Sequence, residues 1–207
     1  MKNNLDMENL KQYTIDTNVI RYDTNKTGAP DLKKAAKIFW RTIKEEVENG
    51  RAVILVPAEV VRELKVQSHT LTDNENSKTQ KLLAHCHEIS PSVSIELEHQ
   101  IRVMSAYLRS KYKSDIGHPK MAYGGVSDAR ILYSAYYEDS ILVTANIRDF
   151  LLYPFLFARH ENRLYDLISN EFIQIPELVY AEVWQDDTFK KMFSHLGELE
   201  AALEDNN

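Results

Sequence analysis

Five consecutive apolar residues, Ala52-Val53-Ile54-Leu55-Val56, run straight into Pro57. A strand with one face in water alternates apolar and polar side chains. An unbroken apolar run therefore means burial on both faces, and that calls for helices above and below a parallel sheet. Pro57 cannot extend the ladder but suits the first position of a helix, predicted over Ala58 to about Val66. Upstream, Gln12–Ile15 (QYTI) is β-prone and ends at Asp16-Thr17-Asn18, which reads as a turn. Between the two strands Ala35, Ile38, Phe39, Ile43 and Val47 recur at helical spacing, with Asp31 as N-cap, a helix from about Leu32 to Asn49, and Gly50 closing it. Strand, helix, strand, helix is the pattern of a right-handed parallel α/β unit.

From Gln67 to Tyr123 the pattern is mostly helical and polar. Ser77–His87 and Ile95–Tyr112 have helical spacing on either side of Pro91, and Ser114–Gly125 (SDIGHPKMAYGG) reads as a loop. Alternation then resumes. Ser127 is expected to cap a helix to about Tyr137, Ile141–Thr144 (ILVT) to form a strand, Arg148-Asp149-Phe150 to turn, and Phe172–Ile175 (FIQI) to supply the last strand. Over Thr188–Leu203, Phe189, Met192, Phe193, Leu196, Leu199 and Leu203 share one helical stripe. That stripe can cover its own domain, or serve a second copy of the chain or another partner. The prediction is a single α/β domain over 1–207, with a core of about 12–66 and 124–176, a helical insertion at about 67–123, and an acidic tail from about 177 to 207.

Composition narrows the function classes. With 43% hydrophobic and 27% charged residues the chain can bury a core and is not compositionally disordered. It has no apolar run of about 18 residues, so no spanning helix is expected. The opening MKNNLDMENLKQYTI lacks the basic start and apolar stretch of a secretory leader, which points to a cytoplasmic protein without membrane association. One cysteine, Cys86, excludes a disulfide framework and a thiolate-rich zinc site. Neither G-x-G-x-x-G nor a P-loop occurs, which disfavours dinucleotide enzymes and NTPases. The net charge of −6 is confined to the tail: eight acids against Lys190 and Lys191 from Glu177 onward leave residues 1–176 formally neutral. The acidic total thus does not exclude a nucleic-acid partner. Ile101–Lys120 is locally basic through Arg102, Arg109, Lys111, Lys113 and Lys120, against Asp115 alone.

Four acids occupy comparable places in the alternation. Asp16 ends the first strand, Glu63 lies on the helix after the second, Asp128 stands in the first turn before ILVT, and Asp149 follows that strand. In an open parallel sheet, the carboxyl ends of adjacent strands gather at the crevice where ligands bind. Singly, each acid has an ordinary reading as a turn, helix-end or surface residue. Gathered together, two carboxylates about 4 Å apart repel by ~4 kcal/mol at an effective dielectric of 20. A hard divalent cation, Mg²⁺ or Mn²⁺, would resolve such crowding. Glu59 rivals Glu63, one helical turn away.

In order along the chain, IDTNV (Ile15–Val19), VPAEVVREL (Val56–Leu64), SDARIL (Ser127–Leu132) and LVTANIRDF (Leu142–Phe150) resemble the successive motifs of the PIN-domain nucleases, most closely their bacterial toxin-like members of the VapC type. The resemblance implies a three-layer α/β/α sandwich with a mainly parallel central sheet, and metal-dependent hydrolysis of RNA leaving 5′-phosphate and 3′-hydroxyl ends. It also implies catalysis and metal binding by Asp16, Glu63, Asp128 and Asp149. Asn18, Ser127, Thr144 and Asn146 would orient them. RNA would be held by Arg109, Lys111, Lys113, Lys120 and Arg148, with Tyr112 and Tyr123 able to stack on bases. The expected partners are RNA, an antitoxin protein and a second copy of the chain. The competing reading is a catalytically silent PIN-like module that binds RNA or protein.

Overall fold

The computed structural model describes residues 10–25, 29–118 and 120–205. Most of the stretch read for a leader, residues 1–9, lies outside the described residues. Six strands form one sheet among the described residues: β1 (Lys11–Ile15), β2 (Ala52–Pro57), β3 (His87–Ile89), β4 (Ile141–Thr144), β5 (Leu164–Asp166) and β6 (Glu171–Phe172). Their order is β3-β2-β1-β4-β5-β6, parallel throughout except for β6, which pairs antiparallel with β5. β1 is central, with Thr14 opposite Leu55 on one side and Leu142 on the other. The mainly parallel α/β class expected from AVILV is the one observed.

The helices are α1 (Thr17–Thr24), α2 (Pro30–Glu48), α3 (Ala58–Gln67), α4 (Asp73–Leu83), α5 (Ile95–Tyr112), α6 (Val126–Tyr137), α7 (Glu177–Gln185) and α8 (Asp187–Glu204). From β1 the chain steps outward to β2 and β3, then crosses back to β4 and continues to β5 on the far side. Right-handed crossovers in opposite directions place their helices on opposite faces. Contacts follow this: α1 packs with α2, α3 and α4, and α5 with α6 and α8, while α3 also meets α6. Side chains of β1 show the same division. Tyr13 meets Phe39 of α2 edge-on at 6.3 Å, and Phe39 meets Tyr165 of β5 at 5.8 Å. The next residue, Thr14, points the other way, where its hydroxyl bonds that of Ser140, just beyond α6, at 2.6 Å.

Several expectations shift. Asp16-Thr17-Asn18 is not an isolated turn: Asp16 caps α1, which the sequence reading did not foresee. α2 starts at Pro30, so Asp31 lies in its first turn and is not its cap. The helix expected over Ser77–His87 is α4, which stops at Leu83, and His87 opens edge strand β3 inside the stretch read as a helical insertion. Strand β5 was not expected, and FIQI contributes only Phe172 to β6.

The tail packs on its own domain. Phe189 of α8 is fully buried, 6.3 Å from Phe155 and 5.4 Å from Trp184, and Gln100 of α5 donates to the Met192 carbonyl at 2.8 Å. Asp186 caps α8, accepting from the Thr188 N–H, and also accepts from Tyr107, Tyr112 and Lys111 of α5. Among the described residues no helix is long and apolar enough to cross a membrane.

Candidate active site

Strand order reverses between β1 and β4, and a sheet opens a crevice at the carboxyl ends of its strands where that happens. Asp16 follows the last residue of β1, and Thr144 is the last residue of β4. The two meet there, with the Thr144 hydroxyl donating to Asp16 Oδ2 at 2.6 Å. Asp16 Oδ1 accepts the Thr17 N–H at 2.6 Å, and Asn18 Nδ2 donates to Oδ2. Asn18 also spans the crevice: its Oδ1 accepts the Ala145 N–H at 2.9 Å, and its amide donates to Thr144 Oγ1 at 3.3 Å. The carboxylate is thus fixed by donors from both strands' ends, at 6% exposure.

Burial is the main reason that the Asp16 pKa rises to about 7. The Thr144 and Thr17 bonds oppose the rise, and the nearby carboxylates of Asp128 and Glu63 add to it. Glu63 reaches the crevice from α3 and accepts from the Thr17 hydroxyl. Asp128 sits in the first turn of α6 and accepts the Gly125 N–H at 2.6 Å. Its pKa is raised by burial, and then by Asp149. Asp149 stands on a single 3₁₀ turn, Ile147–Asp149, held by Asn146 Nδ2 and 3.7 Å from Arg148 Nε. Burial raises its pKa as well. Asp16 thus feels Glu63 and Asp128, and Asp128 feels Asp149, so the four acids form a row.

Other predicted residues stand apart. Ser127 neither caps α6 nor reaches the acids, because its hydroxyl donates to Glu59 at 2.9 Å; the capping bond is made by Asp128. Glu59 is likewise outside the row, paired with Arg62 at 2.6 Å and Arg130 at 3.4 Å. Asn146 contacts Asp149 and, through its N–H, Thr144, but not Asp16. Lys111 is exposed but already paired, its ammonium 2.7 Å from Asp186 and over the Tyr107 and Tyr112 rings. Tyr112 is buried with its hydroxyl on Asp186, so it cannot stack on a base. Arg109, Lys113, Lys120, Tyr123 and Arg148 remain exposed, with Arg109 5.6 Å from the Tyr123 ring. The Ala122 N–H donates to the Arg148 carbonyl at 3.1 Å, which ties the basic loop beside Asp149.

Two functional placements escaped the sequence reading. Thr17 holds Glu63, and Gly124 lets the loop close on Asp128: a Cβ there would lie 2.7 Å from that of Asp128. The Gly124-Gly125 pair just before Ser127-Asp128 was the available signal. The His85-Cys86-His87 run, with both histidines exposed, belongs to no three-ligand group among the described residues. Cys86 is half-buried with its thiol pushed up to about 12 by burial.

The donor set of the row is all carboxylate oxygen, the chemistry that suits Mg²⁺ or Mn²⁺. As placed, among the described residues, no three acidic, histidine or cysteine side chains form a group that could hold an ion.

No family model and no curated protein matches the chain. Among solved structures it is similar to VapBC2 from Rickettsia felis bound to a DNA fragment from the promoter, at 19% identity over 66% of this chain and 89% of that one, with a TM-score of 0.42. It is also similar to FitAcB from Neisseria gonorrhoeae, at 16% identity over 67% of this chain and 91% of that one, with a TM-score of 0.38.

Proposed function

We propose that the chain is a PIN-type, metal-dependent ribonuclease that hydrolyses RNA phosphodiester bonds at the Asp16 crevice. The observation behind this reading is a buried carboxylate at the point where strand order reverses, lifted to about 7 and crowded by two further acids. A crowded row of this kind adds nothing to stability in the absence of a cation. Asp16, Glu63, Asp128 and Asp149 would hold Mg²⁺ or Mn²⁺. When bound, such an ion lowers the pKa of a water and stabilises negative charge developing in the displacement. Thr17, Asn18 and Thr144 keep the Asp16 oxygens aimed into the crevice, Gly125 holds Asp128, and Asn146 holds Asp149. Arg109, Lys113, Lys120 and Arg148 supply the phosphate-binding rim, and exposed Tyr123 a stacking surface. The motif resemblance extends the reading to the toxin of a toxin–antitoxin pair, with the antitoxin as protein partner.

A catalytically silent binding module is the alternative, favoured by one observation: Glu63 and Asp128 are engaged by Thr17 and Gly125, and no three-ligand group stands ready. Incubation of a labelled RNA pool with Mn²⁺ separates the two. The wild type is expected to cut, while Asp128→Asn, folded by circular dichroism, is expected not to. Binding without cleavage by the wild type would establish the silent module. Equal cleavage by wild type and Asp128→Asn would remove Asp128 from the site.

A further inference from the structure

The largest groove described lies away from the acid row. The end of α6, the Leu156–Glu161 stretch, α7 and α8 enclose a volume of about 1110 Å³. Tyr136, Tyr137, Phe157, Tyr180, Trp184 and Phe193 make its walls aromatic. Four carboxylates, Asp139, Glu161, Glu200 and Glu204, line it as well. On one side the chain satisfies this chemistry itself. The Arg163 guanidinium lies 4.3 Å over the Phe157 ring, 2.7 Å from Asp139, and also pairs with Glu161.

The other side repeats the pattern with no arginine among the described residues that line it. Glu200 and Glu204 are successive turns of α8, beside Tyr136 and half-exposed Tyr137. Their neighbours are acids and phenols: Glu200 accepts from the Tyr133 hydroxyl, Glu204 repels Glu200, and both charges disfavour ionisation of Tyr133. A second groove of about 300 Å³ shares Tyr137, Glu200 and Glu204 and adds Glu138, so the acidic aromatic surface continues round the helix. With Asp139 and Glu161 paired to Arg163, the remaining Glu200 and Glu204 would repel an RNA backbone. A guanidinium combines cation–π stacking with paired hydrogen bonds to carboxylates, which is the combination these walls offer.

We propose that this groove docks an arginine-bearing basic segment of a partner protein, its guanidinium groups stacking on Tyr137 and pairing with Glu200 and Glu204 as Arg163 does with Phe157, Asp139 and Glu161. The site is separate from the acid row and stands whether or not that row cleaves RNA.

The test titrates the full chain with a labelled peptide of alternating arginine and leucine, followed by fluorescence anisotropy. Glu200→Gln with Glu204→Gln is expected to weaken binding by about tenfold or more. A charge-matched control on α2, Glu45→Gln with Glu48→Gln, is expected to leave binding within about twofold. In a Trp40→Phe background, which leaves Trp184 as the sole tryptophan, the peptide is expected to shift its emission. Equal weakening by both double variants would overturn the proposal by reducing it to net charge. Undiminished binding of the same peptide with glutamine for arginine would overturn it too. So would self-association of the wild type abolished by the groove variant, which makes a second copy the occupant, or competition by RNA at this surface.

Discussion

Asp16 holds its proton to about pH 7 in the folded chain, against an ordinary 3.8. Between those values the folded state carries a proton that the unfolded state has lost. Stability without metal therefore falls as pH rises from about 4 to 7, by an amount on the order of a few kcal/mol. Thermal unfolding of the metal-free protein across that range is expected to show this slope, and Asp16→Asn to flatten it. Equal slopes would assign the buried proton to another group. Thr144→Val removes a buried donor to Asp16 Oδ2. It is expected to destabilise the chain by about 1–3 kcal/mol and to push the Asp16 pKa higher still. Under the nuclease reading, the acid limb of the pH–rate profile then moves to higher pH, with activity recovering in alkali. A loss that is uniform with pH would limit Thr144 to a packing role. Residues of this kind were unequally visible in the sequence. Asp16 stood out because it ends a strand. Ser127 misled because a serine before a helix usually caps it, whereas here Asp128 takes that bond and leaves the hydroxyl to Glu59.

Elements were legible in proportion to how much of their own burial they encode. β2 and β4 are continuous apolar runs, and α5 was bounded at both ends by its pattern. β3, β5 and β6 have three, three and two residues, too short for alternation to show, and they form because longer strands offer them an edge. α1 was hidden because TNVIRYDT mixes β-branched residues with a turn-like start. Its helicity comes from burying Val19 and Ile20 as α1 packs with α2, α4 and α3. The loop before α6 was read as a loop, but its closeness to Asp128 needed coordinates. Gly124→Ala forces a Cβ to 2.7 Å from Asp128 Cβ, and the first turn of α6 must move. A loss of about 1–3 kcal/mol is expected, together with loss of cleavage. Gly117→Ala is the contrasting control: its surroundings are open, and only a backbone at φ +78 is strained. Retained cleavage by a stable Gly124→Ala chain would show that this turn tolerates displacement.

For the whole molecule, the acidic tail packs on α5 and Phe155, and its Asp186 pairs with Lys111 of the basic segment. Truncation after Gln185 would uncover Phe155 and the α5 face that holds Leu97 and Met104, and would release Lys111 from Asp186. The expected product is insoluble or unfolded by circular dichroism. A folded truncated chain with faster RNA cleavage would instead reveal an inhibitory tail. Contacts such as Lys111 with Asp186, 75 residues apart, have no local signature, so the sequence could suggest a basic patch but not that one of its lysines is already engaged.

The four acids come from stretches that begin at Asp16 and finish at Asp149, and they become neighbours only once β4 has slotted in beside β1. A fragment that ends before β4 keeps the Thr17 bond to Glu63 but lacks Thr144 and Asp149. Under the nuclease reading, a chain that ends before Ile141 is expected to lack cleavage, because the central ladder that gathers the acids is incomplete.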